Sequence, residues 1–290
     1  ITSACENQVA SKTDLPDCGI CGLSEFSIVG IPAEEYPEIP SITGETTIDL
    51  PHSMLKSMIR QTIFAVADTD AKPIHTGTLF ELGGGTLRLV SVDGYRLAIR
   101  EEPVQANEEA SFVVPGKTLN EVTKLLSDSE EETLSLVVGR RHILFKIGNY
   151  TVISRLLEGE FLDYKAAIPA ASSTEVLVNT RSFIESVERV SLLITDRLKS
   201  PVRCLFEDNE IKLSCSTSMG RANDQFEAQI TGGNVEIGFN NRYLLDALRN
   251  AEGDEVKVQL NGPLSPMKVL PREGNAFLFL VLPVRLKSDS

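Results

Sequence analysis

Cysteine and histidine are the residues in this sequence best suited to metal or redox chemistry, and neither forms a complete site. Cys18 and Cys21 make a CxxC pair, but a structural zinc site normally needs four ligands, and no second pair lies nearby. His52, His75 and His142 are far apart and lack metal-ligand spacing. The sequence also lacks a nucleophile elbow, a phosphate-binding loop and a dinucleotide fingerprint. We therefore expect a binding protein with no catalytic residue, metal or cofactor.

A turn at the end of a strand carries residues suited to protein recognition. Residues 86–92 alternate in hydropathy and are rich in strand formers, which predicts a strand. Asp93 and Gly94 then signal a turn, because Gly accepts the positive φ of a tight reversal. Tyr95 and Arg96 follow, and both residue types are enriched at interface hot spots. An ordinary hairpin corner would have the same local sequence, so the rest of the chain must decide.

Composition limits the class of protein. The 290 residues suggest about two domains. The hydrophobic fraction is 42% with no Trp, so aliphatic side chains must fill the cores. No apolar run approaches the ~18 residues that cross a bilayer, and no signal peptide opens the chain. Five cysteines, an odd number, fit a reducing compartment. We expect a cytoplasmic protein with no membrane partner.

The predicted elements occur in two similar series. The first series contains helices at 51–67 and 116–126, and the second contains helices at 181–193 and 241–251. The predicted strands cover 75–82, 86–92, 110–114, 133–138, 142–147 and 150–157, then 175–178, 202–207, 211–216, 225–230, 234–239, 255–260, 266–270 and 276–282. A repeat of roughly 120 residues indicates duplicated domains rather than a solenoid. The expected fold class is α+β.

Charge is distributed unevenly along the chain. The four predicted helices together carry +4, whereas the whole chain carries −13, so the remainder carries −17. The helical cations recur at spacings that return them to nearly one helix face. Surface helices commonly carry Lys and Arg, but this segregation in an acidic chain favours an anionic partner. No helix carries residues arranged to read base edges, so the expected contact is with a phosphate backbone.

Five motifs resemble the β sliding clamp of bacterial replicative DNA polymerase, the DNA polymerase III β subunit. The motifs are GIPAEEYP at 30–37, VDGYRL at 92–97, EGEFLDY at 158–164, IGFN at 237–240 and LPVRL at 282–286. They stand in the family's order and approximate spacing. Family members have three similar domains per chain, and two chains form a head-to-tail ring with helices lining the hole. The resemblance therefore implies tandem DNA-clamp domains, each with two helices packed on antiparallel sheets.

By this resemblance the chain divides into four parts. Residues 1–45 contain a leader, a strand at 25–31 and a proline-rich linker, and they match only the end of the family's first domain. Residues 46–168 correspond to the middle clamp domain, 169–286 to the C-terminal clamp domain and 287–290 to a tail. The family's ring closes through the first domain, so we expect that this N-terminally truncated chain does not form a stable closed ring.

The family also has a hydrophobic groove between its middle and last domains, which binds short Gln/Leu/Phe-type peptides. The matching positions here are Ile74, His75, Val92, Gly94, Tyr95, Arg96, Leu97, Leu162, Ala167, Asn240, Tyr243, Leu264, Pro266, Met267, Leu280, Leu282, Pro283, Val284 and Arg285. Aliphatic walls suit apolar anchors, with Arg96 and Arg285 expected at the edge. His75, Leu162 and Ala167 differ from the residues common in the family, so we expect a roomier or reshaped groove. A seam packed on itself is the alternative.

The resemblance also implies that DNA threads the ring and that cations, mostly on the helices, face it. The DNA-facing positions are Lys56, Arg60, Lys72, Lys117, Lys124, Arg181, Arg189, Arg242 and Arg249. The expected partners are double-stranded DNA, bound without sequence preference, and a second copy of the chain in the family's homodimer. Further partners are the polymerase III catalytic subunit, the clamp loader, repair polymerases and mismatch-repair proteins, bound through short peptides.

The function implied is a processivity factor that tethers a DNA polymerase to duplex DNA. Two alternatives come from other classes of protein. An acidic β-rich scaffold or adhesion module without a DNA role is one, but it gives no reason for cations to collect on helices. A hydrolase using scattered carboxylates is the other, and a metal-dependent activity abolished by one Asp→Asn change would support it.

Overall fold

The structure, a computed structural model, describes three N-terminal strands and most of the chain between residues 46 and 286. Residues 70, 71, 107, 196 and 199 within that span fall outside the description. The chain separates into two compact units, Ile1–Ser41 and Ile42–Ser290. Each unit is treated by itself below.

The first unit contains a small antiparallel sheet. Its strands are β1 (Gln8–Ala10), β2 (Asp17–Cys21) and β3 (Ser24–Ile28), and they pair in the order β1–β2–β3. The strand predicted at 25–31 overlaps β3, and the CxxC pair falls on β2. The side chains of this unit, the motif at 30–37, the remainder of the linker and the tail at 287–290 lie outside the described residues.

The second unit contains the four predicted helices and two series of strands. The helices are α1 (His52–Ile63), α2 (Gly116–Leu125), α3 (Thr180–Ser191) and α4 (Asn241–Asn250). The strands of the first series are β4 (Thr46–Pro51), β5 (Gly77–Gly83), β6 (Thr86–Val92), β7 (Arg96–Pro103), β8 (Ala110–Pro115), β9 (Thr133–Val138), β10 (His142–Ile147) and β11 (Tyr150–Arg155). Those of the second are β12 (Thr174–Asn179), β13 (Val202–Glu207), β14 (Glu210–Thr217), β15 (Gly220–Glu227), β16 (Gln229–Gly232), β17 (Val235–Phe239), β18 (Glu255–Leu260), β19 (Met267–Pro271) and β20 (Phe277–Val281).

One antiparallel sheet runs through both series. Its nine strands lie in the order β16-β12-β18-β19-β20-β7-β6-β5-β8. The two series meet where β20 pairs with β7, with Leu280 opposite Leu97 and Val281 opposite Arg96. Two four-stranded sheets, β11-β10-β9-β4 and β15-β14-β13-β17, complete the unit. The seam between the halves is therefore a backbone hydrogen-bond ladder rather than a loose side-chain contact.

Each pair of helices covers its own aliphatic core. Leu55 of α1 and Leu119 of α2 are fully buried against the first series of strands, and Phe183 of α3 and Leu248 of α4 are fully buried against the second. Each such side chain contributes about 1.5–3 kcal/mol relative to an exposed position. Most of the buried side chains are aliphatic, as the composition predicts, but Phe supplies several of the largest ones.

Helix starts differ between the two series. Pro51 and Pro115 immediately precede α1 and α2, where the fixed φ of proline suits a helix entrance. Asn179 and Asn240 cap α3 and α4 instead, each accepting a backbone N–H bond of 2.9 Å from within the first turn. Asn240 is one of the predicted groove residues, and its side-chain oxygen is engaged in this cap.

Several predicted boundaries differ from the structure. α1 ends at Ile63 because the next N–H groups make i→i−3 bonds and Ala67 N–H bonds to the carbonyl of His75. The strand predicted at 225–230 is two strands, since the chain breaks at Ala228, whose N–H bonds to the Asn209 carbonyl at 2.9 Å. β4, β7 and the start of β15 were not predicted. β15 is an edge strand with polar side chains, so it lacks the alternation that identifies a strand.

Candidate functional site

The turn between β6 and β7 is built by one carboxylate and one glycine. Asp93 Oδ1 accepts hydrogen bonds from the N–H groups of Tyr95 (2.9 Å) and Arg96 (3.0 Å). Gly94 has φ of +91°, in the left-handed region that favours glycine. This arrangement confirms the predicted turn and leaves Tyr95 60% exposed at the end of the hairpin.

Arg96 lies in the seam between the two series, and only 7% of its surface is exposed. Its guanidinium bonds to Asp93 Oδ2 at 2.9 Å and to the carboxylate of Asp246 on α4. The guanidinium carbon also stands 4.7 Å from the ring centroid of Tyr243 and 5.7 Å from that of Phe64. Arg96 is thus a buried tie between β7 and α4.

An aromatic pair covers this tie. Tyr95 stacks on Tyr243 with 5.6 Å between ring centroids and 21° between ring planes. Partial burial, together with the negative charge of Asp93, raises the pKa of Tyr243. The Tyr243 ring is therefore neutral at physiological pH, and the stacked pair presents an apolar face with polar tips.

The C-terminal segment joins the same place. Leu282 N–H bonds to the Tyr95 carbonyl at 2.9 Å, and Val284 N–H bonds to the Gly238 carbonyl at 2.8 Å. A Cβ on Gly238 would stand 2.8 Å from the Val284 carbonyl oxygen and would also clash with the Leu286 side chain. The segment 282–286 therefore lies close against β17, with Leu282 and Val284 partly exposed.

Many predicted wall residues form a floor instead. Val92, Leu97 and Leu280 are between 1% and 4% exposed and belong to a small cluster with Ile74 and Tyr164. Met267 is likewise fully buried, but in the core of the second series. These residues shape the surface from beneath and do not face solvent.

Some of the predicted groove residues line two depressions. One, of about 590 Å³, is lined by Ile74, His75, Phe161 and Leu162 among others. The second, of about 740 Å³, includes Asn240, Tyr243, Val284, Ile194 and Pro201 in its lining. Ala167 and Leu264 are exposed, and Pro266 is half-buried, but none of the three lines either depression.

His75 forms part of the first depression. Its ring packs edge-on against Phe161 at 5.5 Å between centroids. Burial, with the positive charge of Lys72, lowers the pKa of His75 from its ordinary value of 6.5. The imidazole is therefore neutral at pH 7 and acts as a flat, largely apolar wall.

The linker between the two series is anchored by a network that the sequence did not reveal. Tyr164 is 4% exposed, and its hydroxyl donates to Glu81 on β5 and accepts from Arg88 on β6 at 3.3 Å. Arg88 also bonds to Glu101 on β7. Burial and the Glu81 carboxylate raise the pKa of Tyr164. The network fixes the 158–168 segment, which supplies Phe161 and Leu162 to the depression.

The four helices lie side by side. α1 packs against α2, and α3 packs against α4. Glu252, just after α4, accepts a 2.8 Å bond from Ser57 and lies 3.6 Å from Arg60, both on α1. These contacts place the helices in the order α2, α1, α4, α3.

Most of the predicted DNA-facing cations have carboxylate partners. The pairs are Lys56–Asp128 (2.8 Å), Arg60–Glu252 (3.6 Å), Lys124–Glu121 (2.6 Å), Arg181–Glu185 (2.7 Å), Arg189–Asp224 (2.7 Å) and Arg249–Glu188 (2.6 Å). Lys72, Lys117 and Arg242 are exposed, and within the described residues they form no ion pair. Exposed pairs of this kind are worth about 0–1 kcal/mol, so phosphates could compete for the same cations.

The described residues contain neither a metal-binding cluster nor a membrane-spanning helix. Among them, no group of three or more His, Cys, Asp or Glu side chains is placed to hold a metal ion. In the same part of the chain, every helix is too short or too polar to cross a bilayer.

Comparison with known proteins agrees with this architecture. The model of the DNA polymerase III beta subunit central domain matches residues 49–163, and that of the C-terminal domain matches residues 165–285. The beta sliding clamp of Bacillus subtilis (strain 168) is 35% identical over 269 residues, covering 91% of this chain and 71% of that protein.

Two solved structures extend the comparison. The DNA polymerase sliding clamp from Bacillus subtilis has a TM-score of 0.92 at 32% identity, covering 97% of this chain and 75% of that one. A sliding clamp from Pseudomonas aeruginosa bound to griselimycin has a TM-score of 0.88 at 28% identity, covering 96% and 75%.

Duplicated two-helix domains on antiparallel sheets, joined through one shared sheet, define a clamp-type architecture. The chain belongs to the family of DNA polymerase III beta subunits, the beta sliding clamps. The fold class and the family predicted from the sequence are confirmed. The groove and DNA-facing roles of individual residues stay predictions.

Proposed function

We propose that this chain is a cytoplasmic, non-enzymatic sliding clamp that tethers a DNA polymerase to duplex DNA and docks partner peptides in its seam. The partners are the polymerase III catalytic subunit, the clamp loader, repair polymerases and mismatch-repair proteins. The observation that carries the proposal is the meeting of three elements at one place: the β6–β7 turn, α4 and the C-terminal segment 282–286.

Duplex DNA is the proposed partner of the helical surface. In the described part of the chain, α2, α1, α4 and α3 lie next to one another, and each carries Lys or Arg side chains that we assign to DNA contact. Most of these cations are screened by carboxylates, so contact with phosphates is weak and fast-exchanging. Weak contact without base reading suits a protein that moves along DNA without stopping at a sequence.

A short peptide with apolar anchors is the proposed ligand of the seam. Phe161, Leu162 and neutral His75 offer apolar surface in the first depression, and the stacked Tyr95 and Tyr243 rings offer a second hydrophobic platform. Depressions at domain boundaries are common binding sites for such ligands, and charged side chains such as Lys72 and Glu160 also line the first one. Aromatic residues at the centre of the site are expected to supply most of the binding energy.

The test is fluorescence polarisation with a labelled Gln/Leu/Phe-type pentapeptide. We expect saturation at one site per chain. Tyr95→Ala combined with deletion of residues 283–286 should abolish binding while the circular dichroism spectrum stays unchanged. Tyr150→Ala is the matched control, because Tyr150 is 62% exposed on β11, outside both depressions. If the wild type and the variant with Tyr95→Ala and the deletion bound the peptide with equal affinity, the assignment of the groove would be refuted.

DNA contact is tested by the salt dependence of duplex binding. Replacing Lys117 and Arg181 by Gln should reduce the slope of log affinity against log salt by up to about 0.9 per lost phosphate contact. Lys146→Gln with Arg272→Gln is the control, since Lys146 lies on β10 between residues buried against the helices and so faces the other way. A slope reduced equally by both pairs would favour a non-specific effect of net charge and contradict the helical surface.

A further inference from the structure

A basic surface lies on the face of the C-terminal sheet that is turned away from the helices. Arg203 on β13, Ser214 on β14 and Asn223 on β15 stand opposite one another in register. Their neighbours along the strands, such as Cys204 and Leu213, are buried in the core beneath α3 and α4. Because side chains alternate across a sheet, Arg203, Ser214 and Asn223 must point outwards.

Three arginines converge there around a depression of about 700 Å³. Arg203, Arg221 and Arg285 line it together with serines of β14, and none of its described lining residues is acidic or aromatic. Arg203 is paired with Glu236 at 2.8 Å. Arg221 and Arg285 are exposed, and neither has a carboxylate partner among the described residues. In a chain of net charge −13, this local excess of positive charge is an exception.

The basic depression adjoins the proposed peptide site. Ser200, Pro201 and Val284 line both it and the depression that contains Asn240 and Tyr243. A polypeptide leaving the seam past Val284 would therefore come close to the arginines, because the two depressions share these lining residues. Serine and asparagine side chains on the way offer hydrogen bonds to an extended backbone.

We propose that this depression binds acidic residues flanking the apolar core of a clamp-binding peptide, on the one flank that leaves the seam past Val284. The inference rests on the proposed function and names the chemistry of its partner. Charge complementarity favours carboxylates, which Arg binds in fork geometry. A nucleic-acid strand fits less well, because single strands bind by stacking bases on aromatic rings and the lining has none.

The experiment compares peptides that share one apolar core. A Glu-Glu-Glu extension is placed at the amino end or the carboxyl end, with Gln-Gln-Gln extensions as controls, and affinities are measured by fluorescence polarisation at low and high salt. We expect one acidic extension to tighten binding about fivefold at low ionic strength, the scale of one or two exposed ion pairs, and the gain to fade with salt. The other extension should give no gain.

Protein variants then locate the effect. Arg221→Gln should remove most of the gain and leave the affinity of the uncharged core peptide unchanged. Arg272→Gln, an exposed arginine elsewhere in the same domain, should keep the gain. Equal gains at both ends, no gain at either end, or a gain insensitive to Arg221→Gln would overturn the inference while the proposed function stands. Displacement of the acidic peptide by a single-stranded oligonucleotide would reassign the occupant. Failure of the core peptide to bind would refute both.

Discussion

Replacing Arg96 by Ala should loosen the joint between the two series of elements. The guanidinium contacts Asp93 and Asp246 and stands over the rings of Tyr243 and Phe64. Asp93 belongs to the hairpin turn, whereas Asp246 and Tyr243 belong to α4. Removing the side chain therefore deletes contacts within one series and between both.

The loss in the free energy of unfolding depends on the hydrogen bonds that Asp93 and Asp246 keep after Arg96 is truncated. Truncating one member of a buried ion pair costs about 3–5 kcal/mol. Asp93 keeps its two backbone N–H donors, and the Asp246 side chain is 29% exposed and can rehydrate, which places the value near the lower end. Loss of the two cation–π contacts adds about 1 kcal/mol. We expect a total of about 3–4 kcal/mol, and roughly half of this for Arg96→Lys, which keeps the charge but loses the fork.

The assay is urea unfolding followed by circular dichroism. A loss of this size lowers the midpoint by about 1–2 M. Arg272→Ala is the control, because this arginine pairs with Glu255 at the surface, where an exposed pair contributes less than about 1 kcal/mol. If Arg96→Ala and Arg272→Ala shifted the midpoint equally, the assignment of Arg96 as a buried tie would be refuted.

Three further changes test other parts of the structure. Gln61 is fully buried with both amide atoms unbonded in the described part of the chain, so Gln61→Leu should stabilise by about 1 kcal/mol in thermal melts; a lower melting temperature would show a hidden partner. The lowered pKa of His75 means that the unfolded chain binds the proton first, so stability should fall as pH drops below about 6.5. His75→Gln should lessen that fall, as measured by urea unfolding at a series of pH values between about 5 and 8. The same dependence of stability on pH in the variant and the wild type would contradict the role assigned to His75. Gly238→Ala should push the C-terminal segment off β17 and weaken peptide binding at least about tenfold in fluorescence polarisation, while unaltered binding would show that the segment adapts.

Local signals in the sequence predicted the hairpin well. The strand 86–92 and the turn after it depend on alternation and on a glycine with positive φ, both of which act over a few residues. The same signals did not predict that Arg96 is buried, because its partner Asp246 lies 150 positions away. A distant carboxylate leaves no trace in a local pattern.

The charge pattern shows the same limit. Counting Lys and Arg on each helix correctly separated the helices from the acidic remainder of the chain. Counting could not show that Arg249 on α4 meets Glu188 on α3, since that pair forms only when the helices pack side by side. The basic surface around Arg221 was missed for a related reason, because its arginines come from different strands and from the C-terminal segment.

Hydrogen–deuterium exchange with and without the clamp-motif pentapeptide shows directly whether the peptide binds in the seam. We expect protection confined to the β6–β7 turn, the 158–168 linker, the start of α4 and the segment 282–286, all around one seam. Protection centred on β9–β11, or spread over the helices, would contradict it.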